Sequence, residues 1–164
     1  TTAGLSVGAS GYYGGADQRT PTLGTVTLTL GEADLHVRRS RLDARGVLVR
    51  TALSGADRVS ALRGETVGKA MQGWYLEAAY NLLPGRASGE PSSLWVFLRR
   101  EDFDTNQDVP LGFSRDPAAD RQVWCGGLSY LPISKIAFKG DLERWRDGTD
   151  ATLTRLNLGA GFMF

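Results

Sequence analysis

The feature that most constrains the fold is a strict two-residue alternation of apolar and polar side chains at the C-terminal end of the chain. The apolar positions of this segment are Leu156, Leu158, Ala160, Phe162 and Phe164. The alternate positions are Arg155, Asn157, Gly159 and Gly161. Because a β-strand points successive side chains to opposite faces, this pattern predicts a strand with one apolar face.

The same alternation recurs upstream and predicts an all-β, antiparallel chain of about eight strands. The expected strands cover residues 4–13, 25–38, 42–53, 73–81, 94–103, 124–130, 136–143 and 155–164. Glycine supplies 21 of the 164 residues, well above the usual share of roughly 7%, which favours strands and tight turns. We predict a β-bulge at Gly31, where the alternation changes phase, and one helix at 56–63 with Asp57 as its cap.

The connections between the strands divide into short and long ones. Residues 39–41 and 132–135 form short turns, and residues 54–68 and 105–120 form long polar loops. Short and long connections alternate along the chain, so we expect them at opposite edges of the sheet. The ten-residue segment 83–92 falls on the short-turn edge and does not fit this rule.

Composition excludes several classes of function. Nineteen Lys and Arg residues against eighteen Asp and Glu give a net charge of +1, so we expect no nucleic-acid partner. The single Cys125 and the single His36 exclude a disulfide scaffold and a zinc module, and we predict no metal and no cofactor. No apolar run or signal-peptide pattern is present, and the first residue is Thr1, which favours a processed chain or an excised portion of one.

The chemistry of the two strand faces predicts a transmembrane β-barrel with a polar lumen and lipid outside. One face is bulky and apolar, whereas the other mixes small residues with scattered charges of both signs. The predicted pore-lining residues are Arg45, Glu77, Arg99, Glu101, Lys139, Asp141, Glu143 and Arg155. Their near balance of charge predicts weak ion selectivity. A soluble β-sandwich is the weaker alternative, because its solvent face is expected to be richly charged.

Aromatic residues near the short-turn edge predict an interfacial girdle, as membrane barrels have. The residues expected in it are Tyr80, Tyr130, Phe138, Phe162 and Phe164. Within strands, the even-numbered residues from Trp74 to Phe164 are then expected to face lipid. An arginine at Leu128 or Leu158 is expected to be costly, whereas Gly127→Ser and Asn157→Asp on the other face are expected to be almost neutral.

Several motifs resemble those of Gram-negative outer-membrane porins. The final GAGFMF, residues 159–164, resembles the last strand of outer-membrane barrels, which ends in Phe. GWYLEAAY at 73–80, RREDFDTN at 99–106 and GGLSYLP at 126–132 resemble the closing hairpins of porins, particularly the phosphate-selective-porin-like group. This resemblance implies an outer-membrane location in a Gram-negative-type bacterium. It also implies contact with the lipid bilayer and lipopolysaccharide, and recognition of the last strand by the outer-membrane assembly machinery.

Porins of this kind have about 16 strands, twice the number expected here. Residues 1–164 are therefore either a single complete barrel domain or the C-terminal part of a larger barrel, and the start of the chain almost directly in a strand favours the second. A partial barrel leaves unpaired strand edges in lipid, so it needs the remainder of its barrel or another copy in a homo-oligomer.

The leading functional hypothesis is a porin, which is not an enzyme and forms a water-filled channel for ions or small hydrophilic solutes. The alternative is a small closed eight-stranded barrel that acts as an anchor or adhesion module through its long loops. A third hypothesis is a lipid hydrolase using His36 and Ser40, but no nucleophile elbow or supporting acid is evident.

Two groups of acids could serve acid/base catalysis or bind calcium, but a simpler interpretation is favoured for each. Asp141 and Glu143 share a face with Lys139, which favours a ladder of lumen charges over acid/base catalysis. Four acids lie in and around the loop at 105–120, where a solvated rim is favoured over a calcium site. These are Asp104, Asp108, Asp116 and Asp120.

Overall fold

A computed structural model describes residues 4–17, 20–83 and 92–163 of the chain. Its eight strands are β1 (Gly4–Gly15), β2 (Thr27–Arg39), β3 (Leu42–Ser54), β4 (Ala70–Asn81), β5 (Ser93–Asp108), β6 (Asp120–Ile133), β7 (Ile136–Asp147) and β8 (Thr152–Phe162). The one α-helix in these ranges, α1, covers Ala56–Arg63, and short 3₁₀ turns cover Pro21–Leu23 and Pro117–Ala119. The predicted helix is confirmed, although Gly55, with φ 71°, is its N-cap and Asp57 lies inside its first turn.

All eight strands belong to one sheet in the order β1 to β8, and every neighbouring pair is antiparallel. The prediction of an all-β antiparallel chain with about eight strands is confirmed. Such a meander needs only local connections, because each strand returns beside the one before it.

The sheet has two free edges. In the described ranges β1 pairs only with β2 and β8 pairs only with β7, so no ladder joins the first strand to the last. The closed eight-stranded barrel considered above is therefore not formed by these strands. The edge strands are 12 and 11 residues long, and in the described ranges no further strand forms a ladder on their outer sides.

The predicted bulge at Gly31 is wrong. Gly31 pairs in regular register with Gly11 on β1 and with Arg50 on β3. Leu30 and Glu32 lie on the same face of β2, which is apolar before Gly31 and polar after it. This change of polarity along one face gives the apparent change of phase in the sequence. The irregularities lie elsewhere, between β4 and β5 near Ala70 and between β6 and β7 after Tyr130.

The predicted division of long and short connections between the two rims holds with one further exception, the short β7–β8 turn, which lies at the long-loop rim. The β1–β2, β3–β4 and β5–β6 loops share one rim with the tight β7–β8 turn, and the β2–β3 and β6–β7 turns lie at the other. Most of the exceptional segment 83–92, namely residues 84–91, lies outside the described residues. None of the helices in the described ranges is long and apolar enough to cross a membrane.

The sheet is curled. Arg38 on β2 and Lys139 on β7 line one cavity of about 430 Å³. On the face that this cavity lines, Phe97 and Cys125 are only 8% and 1% exposed although no second sheet covers them in the described ranges, because the curl brings the side chains of this face together. We call the face lined by this cavity the concave face; it carries Asp43, Glu77, Arg99, Asp141 and Arg155.

The opposite face, which we call the convex face, carries apolar side chains that nothing in the described structure covers. Examples are Leu76, Leu98 and Leu142, which are 53–55% exposed, and Leu158, which is 80% exposed. Buried apolar residues are few in the described ranges: Leu23, Val26, Ala56, Phe97, Val123 and Cys125. The sheet thus leaves its apolar face open instead of packing it into a core.

Candidate channel-lining face

The structure places all eight predicted pore-lining residues on the concave face. Five of them lie in one line across the sheet, because antiparallel pairing sets each directly opposite the next. The line, with Cys125 included, runs Arg45, Glu77, Arg99, Cys125, Glu143, Arg155 from β3 to β8. Opposite charges directly across neighbouring strands stabilise their pairing.

At one end of this line, the buried carboxylate of Asp43 is held by three cationic or titratable side chains. Arg38 donates from Nε and Nη2 to Oδ2, at 2.9 and 2.7 Å. His36 Nε2 lies 3.0 Å from Oδ1, and Arg45 Nη2 lies 3.2 Å from the same oxygen. The sequence analysis did not identify Asp43 as the centre of this group. The feature that could have identified it is its position directly opposite Arg38 in the β2–β3 hairpin.

The charges continue towards the middle of the sheet as an alternating row. Arg45 Nε lies 3.7 Å from Glu77 Oε1, and Arg99 Nη1 lies 3.7 Å from Glu77 Oε2. Arg99 Nε also lies 2.6 Å from Glu101 Oε1. Glu77 is thus within reach of two arginines, and Arg45 and Arg99 each contact two acids.

A second group surrounds the buried carboxylate of Asp141. Asn157 donates from Nδ2 to Asp141 Oδ1 at 2.9 Å, and the Cys125 thiol donates to the same oxygen at 3.7 Å. Lys139 Nζ lies 3.6 Å from Oδ2. The expectation that Asn157→Asp is almost neutral is therefore wrong, because it would set two carboxylates against each other where a hydrogen bond now lies.

Gly127 is equally constrained. A Cβ at this position would lie 2.3 Å from the Gly140 carbonyl oxygen and 2.7 Å from Asp141 Cα. Both are backbone atoms of the adjacent strand, which cannot move aside without disturbing the ladder. Gly127→Ser is therefore not neutral for stability either, contrary to expectation, because β6 and β7 are too close at this point to leave space for a side chain.

Aromatic side chains complete this face near the long-loop rim. Trp145 Nε1 donates to Glu143 Oε2 at 2.9 Å, and the Arg155 guanidinium lies 5.0 Å from the Trp145 ring centroid. The Trp145 ring also meets Phe103 edge-on, with centroids 6.2 Å apart. These contacts hold the charged side chains in defined positions.

Cys125, Asp141 and Glu143 bring one thiol and two carboxylates within 4.8 Å of one another. Both carboxylates already accept hydrogen bonds, Asp141 from Asn157 and Glu143 from Trp145. The group therefore serves contacts between β6, β7 and β8.

The predicted girdle residues lie on the convex face near the short-turn rim. Tyr80, Tyr130, Phe138 and Phe162 all have exposed rings. Each is close to the strand end at that rim, on β4, β6, β7 and β8. Phe164, the fifth predicted member, lies outside the described residues.

The acidic loop residues have protein partners. Arg115 contacts both Asp104 and Asp120, and Asp116 Oδ1 accepts from the Ala118 amide at 2.9 Å. Asp108 pairs with Lys69 at 3.2 Å. These contacts order the β5–β6 loop at the long-loop rim.

The hydrolase hypothesis gains no support from the geometry. His36 is directed to Asp43, and no hydrogen bond joins it to Ser40 in the described ranges. Ser40 occupies the β2–β3 turn with a positive φ of 55°. Asp43 in turn is shared with two arginines, which is the environment of an ion-pair network.

Asp147 stabilises the β7–β8 turn at the long-loop rim. Its Oδ1 accepts from the Thr149 hydroxyl at 2.5 Å and from the amides of Thr149 and Ala151 at 2.9 and 3.2 Å. The Thr149 hydroxyl is the main cause of a lowered pKa of Asp147. The charged form of this carboxylate therefore favours the turn.

Comparison with known proteins gives one informative similarity. The chain is 30% identical over 163 residues to an uncharacterized protein of Aquifex aeolicus (strain VF5). The match covers 92% of this chain but 36% of that relative, so the chain spans about a third of the relative's length. No family model and no solved structure matches the chain. The likeness to phosphate-selective porins stays a prediction from sequence motifs.

Proposed function

We propose that this chain is part of an outer-membrane β-barrel whose concave face lines a water-filled channel for ions or small hydrophilic solutes. The observation that carries the proposal is the separation of chemistry between the two faces of one curled sheet. The concave face holds a connected row of ion pairs, whereas the convex face exposes apolar side chains on every strand. Lipid outside and water inside satisfy both faces.

The apolar area of the convex face has a polar border towards the long-loop rim. The convex residues that mark it on β3 to β8 are Arg50, Gln72, Arg100, Gln122, Arg144 and Thr154. Arg50 is paired directly with Gln72, so the border keeps its level from β3 to β4. Arg100 on β5 is paired with Leu76, which lies four residues from Gln72 towards the short-turn end of β4, so the border moves in that direction from β4 to β5. From β7 to β8 the border keeps its level, because Arg144 is paired directly with Thr154. The border therefore crosses the sheet with its largest step between β4 and β5.

The free edges of β1 and β8 support a larger barrel. In hydrocarbon an unpaired backbone amide or carbonyl costs several kcal/mol, about the energy of a lost hydrogen bond in an apolar medium, so open sheets do not span membranes. About two thirds of the Aquifex relative lies outside the match, which gives that protein ample chain for further strands. We infer that the strands that close the barrel come from the remainder of the full-length protein.

This proposal includes an outer-membrane location, with lipid and lipopolysaccharide as the surroundings of the convex face. It also includes assembly through the last strand. The support is the exposed apolar β8, whose convex residues Leu156, Leu158 and Phe162 are 69–80% exposed.

Conductance across a planar lipid bilayer tests the proposal. The full-length protein, folded in detergent, is expected to give discrete conductance steps. Glu77→Gln is expected to shift the reversal potential in a salt gradient towards anions, because Arg45 and Arg99 then lose a shared acid. Glu65→Gln, which removes an acid paired with Arg63 in the β3–β4 loop, is the matched control and is expected to leave the reversal potential unchanged. Folded, inserted protein without conductance steps would contradict the proposal.

A further inference from the structure

In the ion pairs around Asp43 and Asp141 on the concave face, the cations are much more exposed than the carboxylates. The side chain of Asp43 is 5% exposed, whereas its partners Arg38 and Arg45 are 56% and 48% exposed. Lys139 is 51% exposed and its partner Asp141 is 8% exposed. A solute that approaches Asp43 or Asp141 therefore reaches the cations first, although the numbers of acids and bases on the face are almost equal.

Three of these cations border the cavity of about 430 Å³, a size typical of small-molecule sites. Arg38 and Arg45 lie on one side of it and Lys139 on the other. Arg38 uses Nε and Nη2 to hold Asp43, and within the described contacts its Nη1 has no partner. The guanidinium thus keeps donors that can bind an anion.

The rest of the cavity wall carries two acids, Asp43 and Glu77, which Arg38 and Arg45 already pair, together with small and aromatic side chains. Trp95 and Phe97, alternate residues of β5, line it together with the small side chain of Ser129 on β6. Lys139 Nζ lies 4.9 Å from the Phe97 ring centroid, so an ammonium and an aromatic face meet at the same point. The small inward residues of β6 leave the space above them open between β5 and β7.

We propose that this cavity is a binding site for small organic anions that combine a carboxylate with an aromatic ring. The carboxylate binds the exposed donors of Arg38, Arg45 and Lys139, and the ring packs against Trp95 and Phe97. As a site for a transported solute, the cavity rests on the proposed channel function. The binding itself is measurable without conduction.

Isothermal titration of the full-length protein in detergent tests the chemistry of the ligand. Benzoate carries both charge and ring, acetate carries only the charge, benzyl alcohol carries only the ring, and inorganic phosphate is a second ringless anion. Benzoate is expected to bind at least about fivefold more tightly than acetate or phosphate, since the ring adds aromatic packing. Equal binding of benzoate, acetate and phosphate would overturn the proposal, as would binding of benzyl alcohol as tight as that of benzoate.

Variants test the location. Lys139→Gln is expected to weaken benzoate binding about tenfold, because a charge-assisted contact is lost. Phe97→Leu keeps an apolar residue and is expected to weaken benzoate binding while leaving acetate binding unchanged. Lys69→Gln, which removes a lysine paired with Asp108 at the long-loop rim, is the control and is expected to leave both unchanged. Benzoate affinity unaffected by both cavity variants would place the ligand elsewhere and overturn the proposal.

The two proposals fail in different ways. Channels that conduct without binding benzoate would overturn the anion site and leave the channel standing. Benzoate binding that depends on Lys139 in a protein without conductance would support the site and contradict the channel.

Discussion

At the scale of single residues, the concave face includes a few positions where the size or the charge of the side chain is closely constrained by its neighbours. The carboxylates of Asp43 and Asp141 are buried, and each is shared by three polar side chains. Removing one partner from such a group leaves a buried charge less well compensated, which costs more than an exposed ion pair is worth. Gly127 is constrained by space instead, because the backbone of β7 occupies the volume of a side chain.

Gly127→Ala is expected to lower the free energy of unfolding by about 1–3 kcal/mol, the usual cost of inserting a methyl group where no space exists. Gly159→Ala is the matched control, because a Cβ at Gly159, on the concave face of β8, has no atom within 4 Å. Urea titration of the full-length protein folded in lipid or detergent measures both. Equal stability of the two variants would show that β6 and β7 lie further apart than described.

At the scale of strands, the alternation of side chains gives the sheet one charged face and one apolar face. Pairing places opposite charges side by side on one face, as for Glu77 between Arg45 and Arg99. The same pairing places Leu98 opposite Ala78 and Gly126 on the other face. A strand shifted by one residue would exchange the two faces, so the register is strongly specified wherever the faces meet different surroundings.

Leu158→Arg is expected to destabilise the full-length protein by about 2–4 kcal/mol, because the ion would lie in hydrocarbon. Thr154→Arg lies on the same face of the same strand but at the polar border, so we expect it to cost less than about 1 kcal/mol. Folding titrations in lipid vesicles compare the two. A similar penalty at both positions would mean that the convex face does not meet a membrane with this border.

At the scale of the whole molecule, the decisive feature is that a continuous curled sheet ends in two unpaired strands. The backbone groups on the free sides of β1 and β8 have no ladder partner in the described structure. In the proposed barrel these groups require further strands that pair with both edges.

Hydrogen–deuterium exchange of the full-length protein in detergent tests this closure. The amides on the free sides of β1 and β8, every second residue of each strand, are expected to exchange as slowly as those of the central strand β5, because added strands pair with them. Rapid exchange along both edges, with β5 protected, would show that the sheet remains open.

The amino-acid sequence by itself determined the elements of the fold and the chemistry of its faces. Alternation from Trp74 to Phe162 specified which residues share a face, and turn residues such as the Asp147–Asp150 segment specified where strands end. These signals come from residues that are close together in the chain, so they can be interpreted without knowledge of the rest of the molecule. The same local view failed at Gly31, because a change of polarity along one face looks like a change of face.

Only the tertiary structure decided which charges meet, how deeply they are buried and whether the sheet closes. The counts of acids and bases predicted a balanced lining, yet Asp43 lies beneath Arg38 and Arg45, so this part of the face presents cations. The close approach at Gly127 and the hydrogen bond of Asn157 to Asp141 likewise depend on the separation and twist of neighbouring strands. These properties depend on residues far apart in the chain, and no spacing within one strand encodes them.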